Sequence, residues 1–177
     1  MIQMERKLPL LVGKSLQRLA ADFGAAFDEI APEYDVNTAE RITHFWAQML
    51  HETGGLKWLT ELGSKSYFDR YEGRKDLGNN QPGDGYKFRG RGLIHITGRY
   101  NYTKYGKLLD TDLVENPELA TDPDIAIIIA LEYWDKHDLN LPADDNDIKK
   151  ITKKINGGYN GLYSRGEWLK LLQKVIK

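Results

Sequence analysis

The chain has 177 residues, 41% of them hydrophobic and 29% charged, with a net charge of −1. That balance suits one soluble domain and gives no global argument for nucleic-acid or membrane binding. There is no cysteine, which removes disulfides, thiolate metal sites and cysteine nucleophiles together.

The N-terminal Leu8-Pro9-Leu10-Leu11-Val12 run is short and Pro-interrupted, so it does not read as a secretory signal. No stretch approaches the roughly 20 apolar residues that span a bilayer. Leu16, Leu19, Phe23, Phe27 and Ile30 recur at helical spacing and predict a helix ending before Pro32. A second helix follows, with Asn37 as N-cap, Glu40 completing a capping box, and Ile42, Phe45, Trp46, Met49 and Leu50 on its apolar stripe. Gly54 and Gly55 end it. Residues 61–92 hold seven glycines and no sustained period, and a loop that long inside a compact domain is usually functional. Leu93–Thr97 reads as a short extended segment. Helices resume near Asn101. Asp122-Pro123 caps and opens an almost wholly apolar helix, Ile125 to Trp134, expected at the buried centre. Ile148, Ile151 and Ile155 mark the apolar side of another helix, with Lys149, Lys150, Lys153 and Lys154 on its wet side. Ser164 with Glu167 reads as a capping box for a last helix, with Trp168, Leu171, Leu172, Val175 and Ile176 facing inward. The predicted class is mainly α, one domain over residues 1–177, with a long Gly-rich active-site loop region.

The most informative stretch is His51-Glu52-Thr53-Gly54-Gly55. It places Glu52 at the edge of an apolar stripe where a helix stops. A carboxyl there is expected to be partly desolvated and suited to hold a proton near neutrality. The ordinary alternative is a surface acid in a last helical turn. From Lys57 to Lys104, ten basic residues face five acids, and Trp58, Tyr67, Phe68, Tyr71, Tyr86, Phe88, Tyr100, Tyr102 and Tyr105 interleave with them. Aromatic faces beside polar groups grip sugar rings, and also single-stranded nucleic acid. The zinc-protease pattern His-Glu-x-x-His fails because Gly55 stands fifth, and the four histidines make no metal signature. No Gly-x-Ser-x-Gly elbow is present. No metal or cofactor is therefore expected. Paired carboxylates remain, with glycoside hydrolysis the leading case.

Five blocks carry a resemblance. They are His51–Gly55, Tyr71–Asn79, Gly90–Thr97, Asn101-Tyr102 and Ile155–Gly158. In that order they resemble glycoside hydrolase family 19, the plant-type chitinases and chitinase-like phage endolysins. The resemblance implies a lysozyme-like α fold and an inverting mechanism. It makes Glu52 the general acid and Thr97 the hydroxyl that helps hold the nucleophilic water. Asn101 and Asn156 match polar cleft residues, and His95 stands where the family usually has Gln. For the second carboxylate, Glu61 resembles the acid of endolysin members and Glu72 lies in the block that carries the base of plant chitinases; Glu61 is favoured. Glu72, Tyr86, His95, Asn101 and Asn156 are the expected substrate contacts.

The expected function is a murein-degrading endolysin that cleaves β-1,4 bonds of peptidoglycan glycan strands. A chitinase and a catalytically inactive sugar-binding module are the alternatives, with a nucleic-acid binder more distant. The expected setting is a monomer in the host cytoplasm, without membrane insertion or a nucleic-acid partner, released to the wall with a holin-like partner.

Overall fold

A computed structural model describes residues 2–176. The chain starts with a short helix, α1 (Met4–Lys7), laid across α2 (Gln17–Ile30). Gly24 permits the crossing, because a Cβ there would stand 2.4 Å from the Glu5 nitrogen. Asp28 then accepts from the Met4 and Glu5 N–H groups at 2.8 and 3.0 Å.

The next helix, α3 (Ala39–Glu52), is capped by Thr38, whose Oγ1 accepts from the Arg41 N–H at 3.2 Å. The cap expected at Asn37 therefore lies one residue further on. Phe45, Trp46, Met49 and Leu50 are buried as the periodicity required. The Phe27 and Phe45 rings lie 5.1 Å apart, and Phe45 meets Trp134 edge-on at 5.5 Å.

Residues 61–92 are not structureless as expected. They form 3₁₀ turns at Lys65–Tyr71 and Lys75–Leu77 and a helical turn, α4 (Asp84–Lys87). The extended segment expected at Leu93–Thr97 is a turn through residues 93–95, flanked by isolated antiparallel bridges, Arg91 to Ile96 and Thr60 to Arg91, rather than a strand. Helix α5 (Arg99–Leu108) follows.

The central helix is α6 (Pro123–Lys136), with Asp122 accepting from the Asp124 and Ile125 N–H groups. Its Ile127, Ala130, Leu131 and Trp134 enter the larger core with α2 and α3. Its Ile129 faces a second cluster of Phe88, Ile96, Tyr102, Tyr105, Leu113 and Ala120. One helix thus serves two cores and fixes the loop lobe to the helical lobe.

Three helices complete the fold: α7 (Asn140–Asp144), α8 (Ile148–Asn156) and α9 (Leu162–Ile176). Asp147 caps α8 through the Lys150 N–H, and Gly157 ends it at φ +78°. The expected capping box at Ser164 and Glu167 does not form. Both residues lie inside α9, where Glu167 pairs with Lys170. Leu171, expected inward, is exposed; Leu169 and Leu172 take the core side. The described residues are mainly α-helical, and none of their helices is long and apolar enough to cross a membrane.

Candidate active site

Helix α3 delivers Glu52 as its last residue, with Thr53 as C-cap and the chain turning through Gly54 and Gly55 in left-handed conformations. The Gly55 N–H returns to the Leu50 carbonyl at 2.8 Å, which closes the helix end. Glu52 lines a cleft of about 190 Å³ with Ile94, Tyr133, Ile155 and Asn156. A wider hollow of about 460 Å³, lined by Tyr102, Lys107, Asp110 and Asp112 among others, contains none of the candidate residues.

The environment expected for Glu52 needs correction. Phe45 and Met49 are sealed in the core and do not line the cleft. Arg165 of α9 meets the carboxylate instead. Its Nη2 donates to Glu52 Oε1 at 2.5 Å, and its Nη1 donates to Gln48 Oε1 at 2.6 Å. The guanidinium is 1% exposed and the Glu52 side chain 27%. Among the described residues Glu52 Oε2 accepts no hydrogen bond, so one oxygen is anchored and the other is left to the cleft. Burial, then the Glu52 charge, raises the Tyr133 phenol above its ordinary value.

Glu61 lies beside Gly90, its N–H donating to the Gly90 carbonyl at 2.8 Å. Its Oε1 accepts from Arg70 Nη2 and from the Tyr71 hydroxyl, both at 3.0 Å. Its Oε2 accepts from the Gly90 N–H at 3.1 Å. A carboxylate offers about four lone-pair sites, so one remains for a water. The segment 90–97 touches both acids: a Cβ on Gly90 would lie 3.2 Å from Glu61 Oε2, and Ile94 lines the Glu52 cleft.

His95 holds that segment in a bend. Its φ is +49°, a conformation that costs a non-glycine residue energy and recurs at functional sites. Two contacts hold it there. His95 Nε2–H donates to the Trp58 carbonyl at 2.6 Å, and the Thr97 hydroxyl donates to the His95 carbonyl at 3.0 Å. With its proton committed, Thr97 Oγ1 keeps lone pairs that can accept from a water. Asn101 Nδ2 donates to the Thr97 carbonyl at 2.8 Å and steadies the position. Asn156, at the end of α8, is exposed in the cleft.

Glu72 is placed differently. Its two oxygens accept from the Gly83 and Gly85 N–H groups at 3.2 and 2.9 Å, pinning the turn into α4. Tyr86 lies on Phe68, with the Arg89 guanidinium 4.1 Å from its ring centre.

Sequence reasoning missed the groups that tie the loop down. Asp84, 1% exposed, takes a two-pronged pair from Arg99 and the N–H groups of Asn80 and Gln81. Burial alone would raise its pKa; Arg99 and those N–H groups outweigh it and hold the carboxyl below its usual range. Buried Asn79 joins the Tyr71 carbonyl to the Arg99 N–H at 2.8 Å each. It also missed Arg165. One signal was available: Leu162, Arg165, Leu169 and Leu172 share a helical stripe, so an arginine stands at a core position and requires a buried partner.

Comparisons with known proteins bear on the family and the fold. Residues 18–154 match the family model of glycoside hydrolase family 19, described as chitinase class I. A glycosyl hydrolase family 19 domain-containing protein of Haemophilus influenzae is 41% identical over 95 residues, 54% of this chain and 46% of that protein. An endochitinase of Arabidopsis thaliana is 31% identical over 137 residues, 77% of this chain and 46% of that protein. The chain thus spans about half the length of the curated relatives it matches. The crystal structure of chitinase C from Streptomyces griseus superposes over 99% of this chain and 91% of that one, with a TM-score of 0.74 at 18% identity, a likeness of fold. With the family model covering most of its length, this chain belongs to glycoside hydrolase family 19.

Proposed function

We propose that the chain hydrolyses the β-1,4 bond between amino sugars of bacterial peptidoglycan, with inversion, as a phage-type endolysin. The observation that carries the reading is Glu52, a helix-end carboxylate in a cleft, tied by one oxygen to Arg165 and open at the other. In this reading Glu52 gives its proton to the leaving glycosidic oxygen. Glu61 takes a proton from a water on the opposite face of the sugar. Thr97 accepts a hydrogen bond from that water and aims its lone pair at the anomeric carbon. An inverting pair stands roughly 6.5–9.5 Å apart to leave room for the water. Asn156 presents its amide to the bound sugar, and His95 and Asn101 hold Thr97 in place. The excess of bases over acids between Lys57 and Lys104 suits the acidic stem peptides of murein. The enzyme acts as a monomer without metal or cofactor. It is made in the host cytoplasm and reaches the wall with a holin-like partner.

A second reading is supported by the relatives described as endochitinases: the same chemistry on polymers of N-acetylglucosamine. One experiment separates the two. Purified protein is incubated with peptidoglycan sacculi and with chitin, and the new reducing ends are identified by mass spectrometry. Cleavage of sacculi between amino sugars supports the murein reading. Cleavage of chitin alone overturns it.

A further inference from the structure

Residues 148–177 carry eight lysines and arginines against a single acid, in a chain whose net charge is −1. Four of the lysines lie on α8, and the helical period divides them. Lys149, Lys153 and Asn156 are spaced i, i+4, i+7 and share one stripe. Lys150 and Lys154 lie about 100° further round the helix. Lys154 is occupied there, its Nζ donating to the His137 carbonyl at 2.6 Å. Lys149 and Lys153 are exposed and form no ion pair among the described residues.

The stripe has a direction. It ends on Asn156, which lines the cleft with Glu52. Lys149 stands about 10 Å back along the helix axis from that asparagine. The turn after α8 then carries Tyr159, 56% exposed, and the first turn of α9 carries Tyr163, 82% exposed. Gly161, between the two, is pressed on His51, the neighbour of Glu52, and a Cβ there would lie 2.2 Å from the imidazole. Two unpaired cations therefore share a helix stripe with a residue of the cleft, and two bare aromatic rings follow that residue along the chain.

We propose that Lys149 and Lys153 bind the carboxylates of the stem peptides on a murein strand whose sugars occupy the Glu52 cleft. The proposal rests on the murein reading and names the part of the substrate that distinguishes murein from chitin. A chitin strand is neutral and bears no peptide, whereas murein carries carboxylates beside its glycan. Exposed ammonium groups gain modest energy from such partners, and salt screens it. The effect therefore falls on KM at low ionic strength and leaves kcat alone.

The test compares Lys149→Gln/Lys153→Gln with Lys150→Gln, on soluble murein fragments and on a neutral polymer of N-acetylglucosamine. All three lysines are exposed, so melting temperatures should match wild type and report intact folds. The double variant should raise KM on murein about threefold to tenfold at low salt, with kcat unchanged. The difference should close near about 0.5 M salt, and neither variant should alter KM on the neutral polymer. An unchanged murein KM overturns the proposal. So does an equal effect from Lys150→Gln, or an equal loss on the neutral polymer. Wild-type protein that cleaves the neutral polymer but no murein overturns the parent reading instead.

Discussion

Arg165 and Glu52, 113 residues apart in sequence, meet through a single hydrogen bond of 2.5 Å at the edge of the cleft. The bond joins the last residue of α3 to the inner stripe of α9. It fixes a carboxylate that would otherwise end a helix with free rotation. Arg165→Met should therefore cost both stability and turnover. Removing one partner of a buried pair typically costs about 3–5 kcal/mol, and the partial exposure of Glu52 places this case at the lower end. Arg165→Lys keeps the charge but cannot reach Glu52 and Gln48 together, so its turnover should fall less. Thermal unfolding and steady-state assays on both variants check this. A Met variant with wild-type turnover would remove Arg165 from the site.

Glu52→Gln should abolish hydrolysis and leave the fold intact. The amide oxygen can still accept from Arg165 Nη2, while the amide cannot donate a proton to a leaving oxygen. General acid catalysis typically contributes about 10²–10⁴-fold, and the loss should fall in that range. Circular dichroism and melting temperature should match wild type. Activity within tenfold of wild type would unseat Glu52.

The helices of the larger core were legible because their apolar residues repeat at the helical period. Asp122-Pro123 announced the start of α6 by local chemistry alone. The loop lobe was not legible. It is held by Asp84 with Arg99, Asn79 with Tyr71 and Arg99, and Glu72 with Gly83 and Gly85, and polar partners of that kind leave no period in a sequence. Ser164 misled for the same reason. Its hydroxyl looked like a cap but meets His51 Nδ1 at 2.9 Å, a partner 113 residues away. Three of the five sequence blocks, by contrast, contain the cleft residues Glu52, Ile94, Ile155 and Asn156, while Tyr133 lies in none of the five.

Acid should destabilise the protein through two histidines, one buried and one half-buried. Burial lowers the pKa of His44, and burial together with the nearby Arg165 charge lowers that of His51. An unfolded chain takes up both protons near pH 6.5, while the folded state resists them. Neutral histidine therefore contributes stability that is complete above about pH 6.5 and is lost as pH falls through the lower folded values. Melting temperature should decline between about pH 7 and pH 5. His44→Gln should flatten part of that slope, because the amide can still face Asn146 without titrating. A flat wild-type profile over this range would refute the assignment.

The choice of base rests on how the two glutamates spend their oxygens. Glu72 uses both on backbone N–H groups, Gly83 and Gly85, and so shapes the turn into α4. Glutamine there offers one acceptor, and its NH₂ faces an N–H. The mismatch should cost about 1–3 kcal/mol, toward the lower end because Glu72 is only half-buried. Glu72→Gln should thus lower the melting temperature and keep turnover within tenfold of wild type. Glu61 spends three lone pairs on Arg70, Tyr71 and Gly90 and has one left for a water. Glu61→Gln loses the Gly90 contact as well, so some loss of stability is expected there too, and stability cannot separate the two roles. Turnover can. Glu61→Gln should lose about 10²–10⁴-fold, the ordinary contribution of a positioned base. Azide needs no deprotonation, so it should restore turnover to Glu61→Gln and produce a glycosyl azide of inverted configuration. It should do nothing for Glu72→Gln, whose defect is a distorted turn. Rescue of Glu72→Gln and not of Glu61→Gln would transfer the base to Glu72.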